Sequence, residues 1–378
     1  MAHVRGAPRV LHLIPTLDLG GAERQLRYVC PELPACGFEP HVAYLRGGPN
    51  LAPLVRAGVA THALAASHRS PRLPLLFARL VRALRPALVQ TWLPAMDLVG
   101  GAVALALRVP WVASERSLPA AYGGHAWGQT SRLRAATAGL RNRFVAHAGA
   151  VVSNSDAADA WWAERLPARV RHCVIPNGIP LDEIDALPPA EDALLGGLGG
   201  GRPLVVFVGR IDAGKNVDHL LTALARAVRE GPADALLLGD GVLLPRVRER
   251  VEREGLRGRI ATPGYVAAAP AVLKRAALFL SLSRYEGMPN AVMEAAAVGC
   301  PVVLSDIPAH RAVLDEASAV FVPTEDPDAA ARAVLASLRD PAAARARAVR
   351  ARAQAESWSV AAAARRYADV YRALSAGR

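Results

Sequence analysis

The stretch Leu204–Leu224, LVVFVGRIDAGKNVDHLLTAL, holds one complete strand–loop–helix unit. Its apolar run from Leu204 to Val208 reads as a buried strand, and the amphipathic run starting near Asn216 reads as a helix. Between them a loop carries Arg210 and Lys215. The same unit recurs in both directions along the chain. Strands are expected upstream at Val10–Ile14, His41–Tyr44, Thr61–Leu64, Leu88–Thr91, Trp111–Ser114, Ala150–Ser153 and His172–Ile175. Downstream they are expected at Ala235–Leu238, Arg259–Thr262, Leu278–Leu282, Val302–Ser305 and Ala319–Val322. Helical segments separate them, among them Ala22–Cys36, Leu73–Leu84, Met96–Leu107, Ser131–His147 and Asp156–Arg165. Alternation of this kind predicts parallel sheets covered on both faces.

At Ile175 the pattern breaks into IPNGIP and then the Pro- and Gly-dense LPPAEDALLGGLGGGRP. This marks a boundary between two domains, residues 1–178 and 179–357. A length of 378 residues fits two such domains, and 52% hydrophobic with 21% charged residues excludes a disordered or fibrous chain. Two doubly wound domains in tandem would bind ligands in a cleft beside the carboxyl ends of their strands.

Three loops stand out for chemistry. Ser283–Asp306, SRYEGMPNAVMEAAAVGCPVVLSD, places Glu286 in a loop and Glu294 about one turn inside the following helix, which starts near Asn290. Both carboxylates can line one pocket, with the backbone of Gly287, Met288 and Asn290 beside them. The Arg210–Lys215 loop offers two cations suited to a diphosphate leaving group. In Leu17–Leu26, LDLGGAERQL, Gly20 and Gly21 let backbone approach a ligand closely at a helix N-terminus. The spacing is not that of a GxGxxG dinucleotide site.

The chain has 45 basic residues against 33 acidic, a net charge of +12, yet only Lys215 and Lys274 are lysines. The arginine bias follows genomic composition, so single arginines carry little weight, whereas a lysine in the Arg210–Lys215 loop carries more. The excess is uneven: residues 1–180 hold +11 and residues 181–378 hold +1. The helix around Arg132–Arg143 has four arginines and no acid, a surface suited to anionic lipid or to a lipid-linked acceptor. Nucleic acid is not expected, since no interleaved aromatic motif accompanies the charge.

Cys30, Cys36, Cys173 and Cys300 show no paired spacing and read as structural thiols in a reducing compartment. The start, MAHVRGAPRVLHLIPT, reads as a first strand and not as a signal peptide. The apolar stretch Leu98–Leu107 is about half the roughly twenty residues a membrane span needs. His12, His147, His172, His219 and His310 have no metal-ligand spacing and are expected to be structural or at the surface.

Taken together, GGAER, SNS at Ser153–Ser155, IPNGI at Ile175–Ile179, FVGRIDAGKN and the E-x7-E string resemble the retaining nucleotide-sugar glycosyltransferases of family 4. The resemblance covers nearly the whole chain, with its motifs in family order. It implies an α/β GT-B fold, in which two Rossmann-like doubly wound domains face a central cleft. Trp358–Leu374, WSVAAAARRYADVYRAL, looks like the family's closing helix, which crosses back so that residues 358–378 pack on the first domain. By the resemblance, Arg210 and Lys215 bind the donor diphosphate in place of a metal ion. Gly20 and Gly21 close over it, Glu286 lies near the donor sugar, and Glu294 holds the ribose hydroxyls. Gly287, Met288 and Asn290 reach sugar and phosphate, Tyr265 and Val266 lie beside the base, and Asn177 sits in the hinge. Where many members carry a His, this chain reads PWVASERSLP, with Glu115 or Arg116 near that place.

The function expected is transfer of a sugar, with retention, from a nucleotide-sugar donor, a UDP-sugar in the first place, to a glycan or lipid-linked acceptor. It belongs to bacterial cell-surface polysaccharide synthesis. No cofactor and no metal are implied, and the place expected is the cytoplasm or the cytoplasmic face of the inner membrane. The alternatives are a catalytically weak sugar-nucleotide binder and a GT-B phosphorylase or epimerase. A nicotinamide dehydrogenase lacks its glycine motif here.

Overall fold

The computed structural model describes residues 6–116 and 132–375, with the backbone alone for 132–136. It divides by its contacts into two compact units, Met1–Gly178 with Trp358–Arg378, and Ile179–Ser357.

Among the described residues the first unit carries seven strands: β1 (Arg9–Thr16), β2 (Glu39–Arg46), β3 (Ala60–Ala63), β4 (Leu88–Trp92), β5 (Trp111–Glu115), β6 (Ala150–Ser153) and β7 (Arg171–Val174). They form one parallel sheet in the order β3-β2-β1-β4-β5-β6-β7. The second unit carries β8 (Leu204–Val208), β9 (Asp234–Leu238), β10 (Ile260–Gly264), β11 (Leu278–Ser281), β12 (Val302–Ser305) and β13 (Val320–Val322), also parallel, ordered β10-β9-β8-β11-β12-β13. LVVFV of β8 is apolar throughout, and DALLL of β9 is apolar after Asp234, because helices cover both faces of the sheet.

Strand order reverses between β1 and β4 and again between β8 and β11. Crevices beside the carboxyl ends of strands open at such switch points. The Gly20–Gly21 loop follows β1, the Arg210–Lys215 loop follows β8, and the Glu286 loop follows β11. All three chemical motifs therefore stand at switch points of their own sheets.

Each strand expected from the sequence is present within one or two residues. Three details differ. The first helix ends at Glu32 and continues as a 3-10 turn, Leu33–Cys36, because Pro31 and Pro34 remove backbone donors. Trp358, expected to open the closing helix, lies half-buried in the turn Glu356–Trp358 before that helix, Val360–Ser375. Tyr367 and Tyr371 of that helix are 1% and 0% exposed in the core of the first unit, with Leu26, Val29 and Trp92. The basic helix spans Arg132–Val145, but Arg141 turns inward and is 4% exposed. Of the other three arginines of the expected cationic surface, Arg143 is exposed, and the side chains of Arg132 and Arg134 lie outside the described residues.

Candidate active site

In the second unit the site is built on two loops that hold each other. Asn216 turns the chain from β8 into the helix Val217–Glu230 with φ +55°, a left-handed conformation that Asn tolerates better than most side chains. Its side chain is fully buried and donates from Nδ2 to Thr324 O at 2.8 Å. Asp212 Oδ1 accepts from the Lys215 backbone N–H at 3.1 Å, closing the loop on itself. Arg284, just after β11, donates to Ala213 O at 3.0 Å and to both oxygens of Glu325, while its backbone N–H donates to Gly214 O at 2.9 Å.

This framework brings Lys215 and Glu286 together. Lys215 Nζ donates to Glu286 Oε1, and Ser283 Oγ donates to the same oxygen at 2.8 Å. Both charged side chains are largely buried, 19% and 13% exposed, so their attraction is stronger than at a surface. Behind Ser283, its carbonyl accepts from Ser305 Oγ at 2.6 Å. His310 Nδ1 lies 2.9 Å from Ser305 O; a carbonyl only accepts, so Nδ1 carries the proton. Burial lowers the His310 pKa, which favours the neutral ring, and among the described residues its Nε2 has no hydrogen-bond partner.

Arg210 is exposed and pairs with Asp212 at 3.3 Å. Its loop nests on a second one: Gly209 N–H donates to Leu238 O at 2.9 Å, Ile211 N–H to Asp240 O at 2.9 Å, and Leu243 N–H to Ile211 O at 3.0 Å. A Cβ on Gly239 would lie 1.8 Å from Gly209 O, and one on Gly241 would lie 2.4 Å from Ile211 O. Only glycine permits that approach. Gly239 N–H donates to Gly264 O at 2.8 Å, which sets the exposed Tyr265 and half-buried Val266 on the same edge of the sheet. Glu294 is 6% exposed in the helix Asn290–Ala297, and Gly287, Met288 and Asn290 are half-buried before and at its start.

In the first unit the glycine loop differs from its expected form. Glu23 folds back over it, accepting from Thr16 Oγ1 at 2.9 Å, and a Cβ on Gly20 would lie 2.1 Å from Glu23 Oε2. The chain's own carboxylate therefore stands at the N-terminus of the helix Gly21–Glu32, where an open anion cradle was expected. Gly21 is exposed beside it.

The acceptor-side candidates separate in space. Glu115 is 1% exposed and pairs with Arg141 at 2.9 Å, and Arg141 also holds Asp97 at 2.7 Å. Expected near the place of the family His, Glu115 lies in a buried ion cluster, where two carboxylates need the guanidinium between them. Arg116 occupies the more open position. Its guanidinium stacks over Trp92 at 5.3 Å, donates to Tyr367 Oη at 2.9 Å, and donates to Asn177 Oδ1. Gln25 then clips the next residue at both atoms: Nε2 donates to Gly178 O at 3.0 Å, and Oε1 accepts from Gly178 N–H at 2.7 Å. Beside Trp92, Leu93 adopts φ +74° and ψ 149°, a strained conformation for a side chain at the switch point of the first sheet.

Two family models match this chain. Glycosyltransferase Family 4 covers residues 19–183, and Glycosyl transferases group 1 covers residues 202–340. The chain belongs to the glycosyltransferases of GT-B fold. It is 29% identical over 178 residues to the alpha-D-kanosaminyltransferase of Streptomyces kanamyceticus, a stretch that is 46% of either chain. It is 29% identical over 140 residues to the UDP-Gal:alpha-D-GlcNAc-diphosphoundecaprenol alpha-1,3-galactosyltransferase of Escherichia coli, 35% of this chain and 36% of that one. The matches thus span less than half the length of these curated relatives. The solved structure of Anabaena HepE in complex with UDP-glucose superposes with a TM-score of 0.80 over 96% of this chain and 98% of that chain, at 18% identity, and shares the fold.

Several residues that shape these loops escaped the sequence reading. Gly239 and Gly241 were visible as GDG after a strand. Gly48 and Asn50, which support the glycine loop, were visible in GGPN; a Cβ on Gly48 would lie 2.4 Å from Leu17 O, and Asn50 Nδ2 donates to Asp18 O. Ser283, Ser305 and His310 had no signal, because their role rests on contacts between strands distant in sequence.

Proposed function

We propose that this chain moves a sugar from a nucleoside diphosphate sugar, a UDP-sugar first, to a hydroxyl of a glycan or lipid-linked acceptor, with retention at the anomeric carbon. The observation that carries the reading is the Lys215–Glu286 pair at the β8–β11 switch point, one of two lysines in the chain bound to the first glutamate of the E-x7-E string. Lys215 and Arg210 neutralise the diphosphate as the bond to the sugar breaks, which removes the need for a metal ion. Glu286 fixes the ammonium and, with its second oxygen, faces the donor sugar. Glu294 holds the ribose hydroxyls, Gly287, Met288 and Asn290 present backbone to sugar and phosphate, and Tyr265 with Val266 lies beside the base. Gly20 and Gly21 supply a loop that closes over the donor, and Asn177 anchors the hinge through Arg116. Glu115 acts on the acceptor side by holding Arg141 and the end of β5 in place.

The donor complex of HepE and the lipid-diphosphate acceptor in the name of the E. coli relative support the choice of donor and acceptor class. Such an acceptor places the first unit at the cytoplasmic face of an anionic membrane. The test is incubation with UDP-glucose, UDP-galactose and UDP-N-acetylglucosamine and a panel of polyprenyl-diphosphate sugars, followed by NMR of the product. An α-linked product from an α-linked donor is expected; an inverted product, or no turnover of any nucleotide sugar, contradicts the reading.

A further inference from the structure

From Pro40 to Met96 the chain has 57 consecutive residues with no Asp or Glu. Arginine-rich composition does not explain this, since at 33 acids in 378 residues such a run would hold about five. The acid that ends it, Asp97, is 0% exposed and bound to Arg141. Within the run, the helix Leu73–Leu84 buries Leu73, Phe77 and Val81 and turns the opposite face to solvent. On that face Arg72, Leu75, Arg79 and Arg82 follow one another at intervals of three, four and three residues, all exposed. His68 and Arg69 extend the stripe before the helix and Arg85 after it, likewise exposed.

Two further properties separate this stripe from an ordinary solvated face. Among the described residues, Arg69, Arg72, Arg79 and Arg82 have no acidic partner, whereas arginines of the second unit such as Arg226, Arg250, Arg259 and Arg311 are each held by carboxylates. Leu75, in the middle of the cations, is 52% exposed. Unpaired guanidinium groups flanking an exposed aliphatic side chain match lipid phosphates above an acyl boundary. From Arg72 to Arg82 the exposed face offers no Phe, Tyr or Trp ring on which a base could stack.

We propose that the Arg72–Leu75–Arg79–Arg82 stripe is the surface by which the first unit docks on an anionic lipid bilayer. The proposal deepens the function above in naming where the membrane is met, and it rests on that reading only for the acceptor. The experiment is flotation of the full chain with vesicles of phosphatidylcholine alone and of equimolar phosphatidylcholine and phosphatidylglycerol, without donor or acceptor. Wild type is expected on the anionic vesicles only. The variant Arg72→Glu/Arg79→Glu/Arg82→Glu should lose binding by more than about a hundredfold, as each of the three arginines near the surface is worth about fivefold. Leu75→Ser should weaken binding severalfold at high salt, where the charge contribution is screened, and Arg143→Glu should change it little. Unchanged binding of the triple variant, equal binding of wild type to neutral vesicles, or a stripe-dependent preference for a single-stranded oligonucleotide over anionic vesicles would overturn the proposal. An unchanged melting temperature shows that the triple variant is folded. Its turnover of a soluble acceptor, if wild type shows any, separates membrane docking from the transferase reading.

Discussion

Lys215 and Glu286, 71 residues apart in sequence, meet as an ion pair at the switch point of the second sheet, and Ser283 donates to the same carboxylate oxygen. The arrangement leaves Glu286 held from two sides. Lys215→Ala removes the cation and leaves a part-buried carboxylate unpaired; a fall in turnover of about a hundredfold or more is expected. Ser283→Ala should act differently, lowering kcat about tenfold with little change in donor KM, because Ser283 positions Glu286 without touching donor. Steady-state kinetics separates the two patterns. Restored kcat in Ser283→Thr supports the positioning role.

Asn216 sets the geometry on which that pair depends. Asn216→Ala loses both the buried bond to Thr324 and a residue suited to φ +55°, at a combined loss of about 2 kcal/mol. Asn216→Gly keeps the backbone conformation and should lose about half as much. Urea unfolding of the two variants measures the difference, and equal stabilities would show that the left-handed turn is not what Asn provides.

In the first unit, Arg141 stands between the buried carboxylates of Asp97 and Glu115. Removing it strands two buried charges, so Arg141→Met should destabilise the protein by about 3–5 kcal/mol. Arg143→Met, two residues along the same helix and exposed, should change stability by less than about 0.5 kcal/mol. Thermal melts of both variants read the contrast.

Acid should destabilise the first unit through His12. Burial, with the nearby His41 charge, pushes its pKa down to about 3, so the native ring stays neutral while the unfolded chain takes up a proton below about 6.5. Its contribution is therefore complete above pH 6.5 and is lost as pH falls toward 3. Asp97 acts in the other sense: burial raises its carboxyl to about 6, and the contribution present below pH 3.8 is lost as pH rises through 6. The difference between wild type and His12→Gln isolates the histidine. Melting temperature should fall more steeply for wild type than for the variant between pH 6.5 and 4.

The strands and the three chemical loops were legible because buried parallel strands leave unbroken apolar runs, and because glycines and lone lysines mark loops in the sequence itself. Asn216 was legible as a helix start but not as a left-handed turn, which depends on φ. The ion cluster of Asp97, Glu115 and Arg141 was hidden, since each of the three looks like a surface charge until helix and strand are packed together. Glu23 was hidden in a different way: GGAER reads as an open anion cradle, and only the folded loop shows a carboxylate lying over Gly20. His310 looked like any core histidine, and it is one, but its ring ends a chain of contacts that runs through Ser305 and Ser283 to Glu286.

The β8 and β11 loops of the second unit are proposed as the diphosphate end of a nucleotide-sugar site. Isothermal titration of UDP into wild type, Arg210→Ala and Lys215→Ala probes that assignment. Saturable binding by wild type is expected, weakened about tenfold or more in each variant, with GDP and ADP binding less tightly. Binding of UDP that is equally tight in all three proteins, or no binding of any nucleoside diphosphate by a folded wild type, would contradict it.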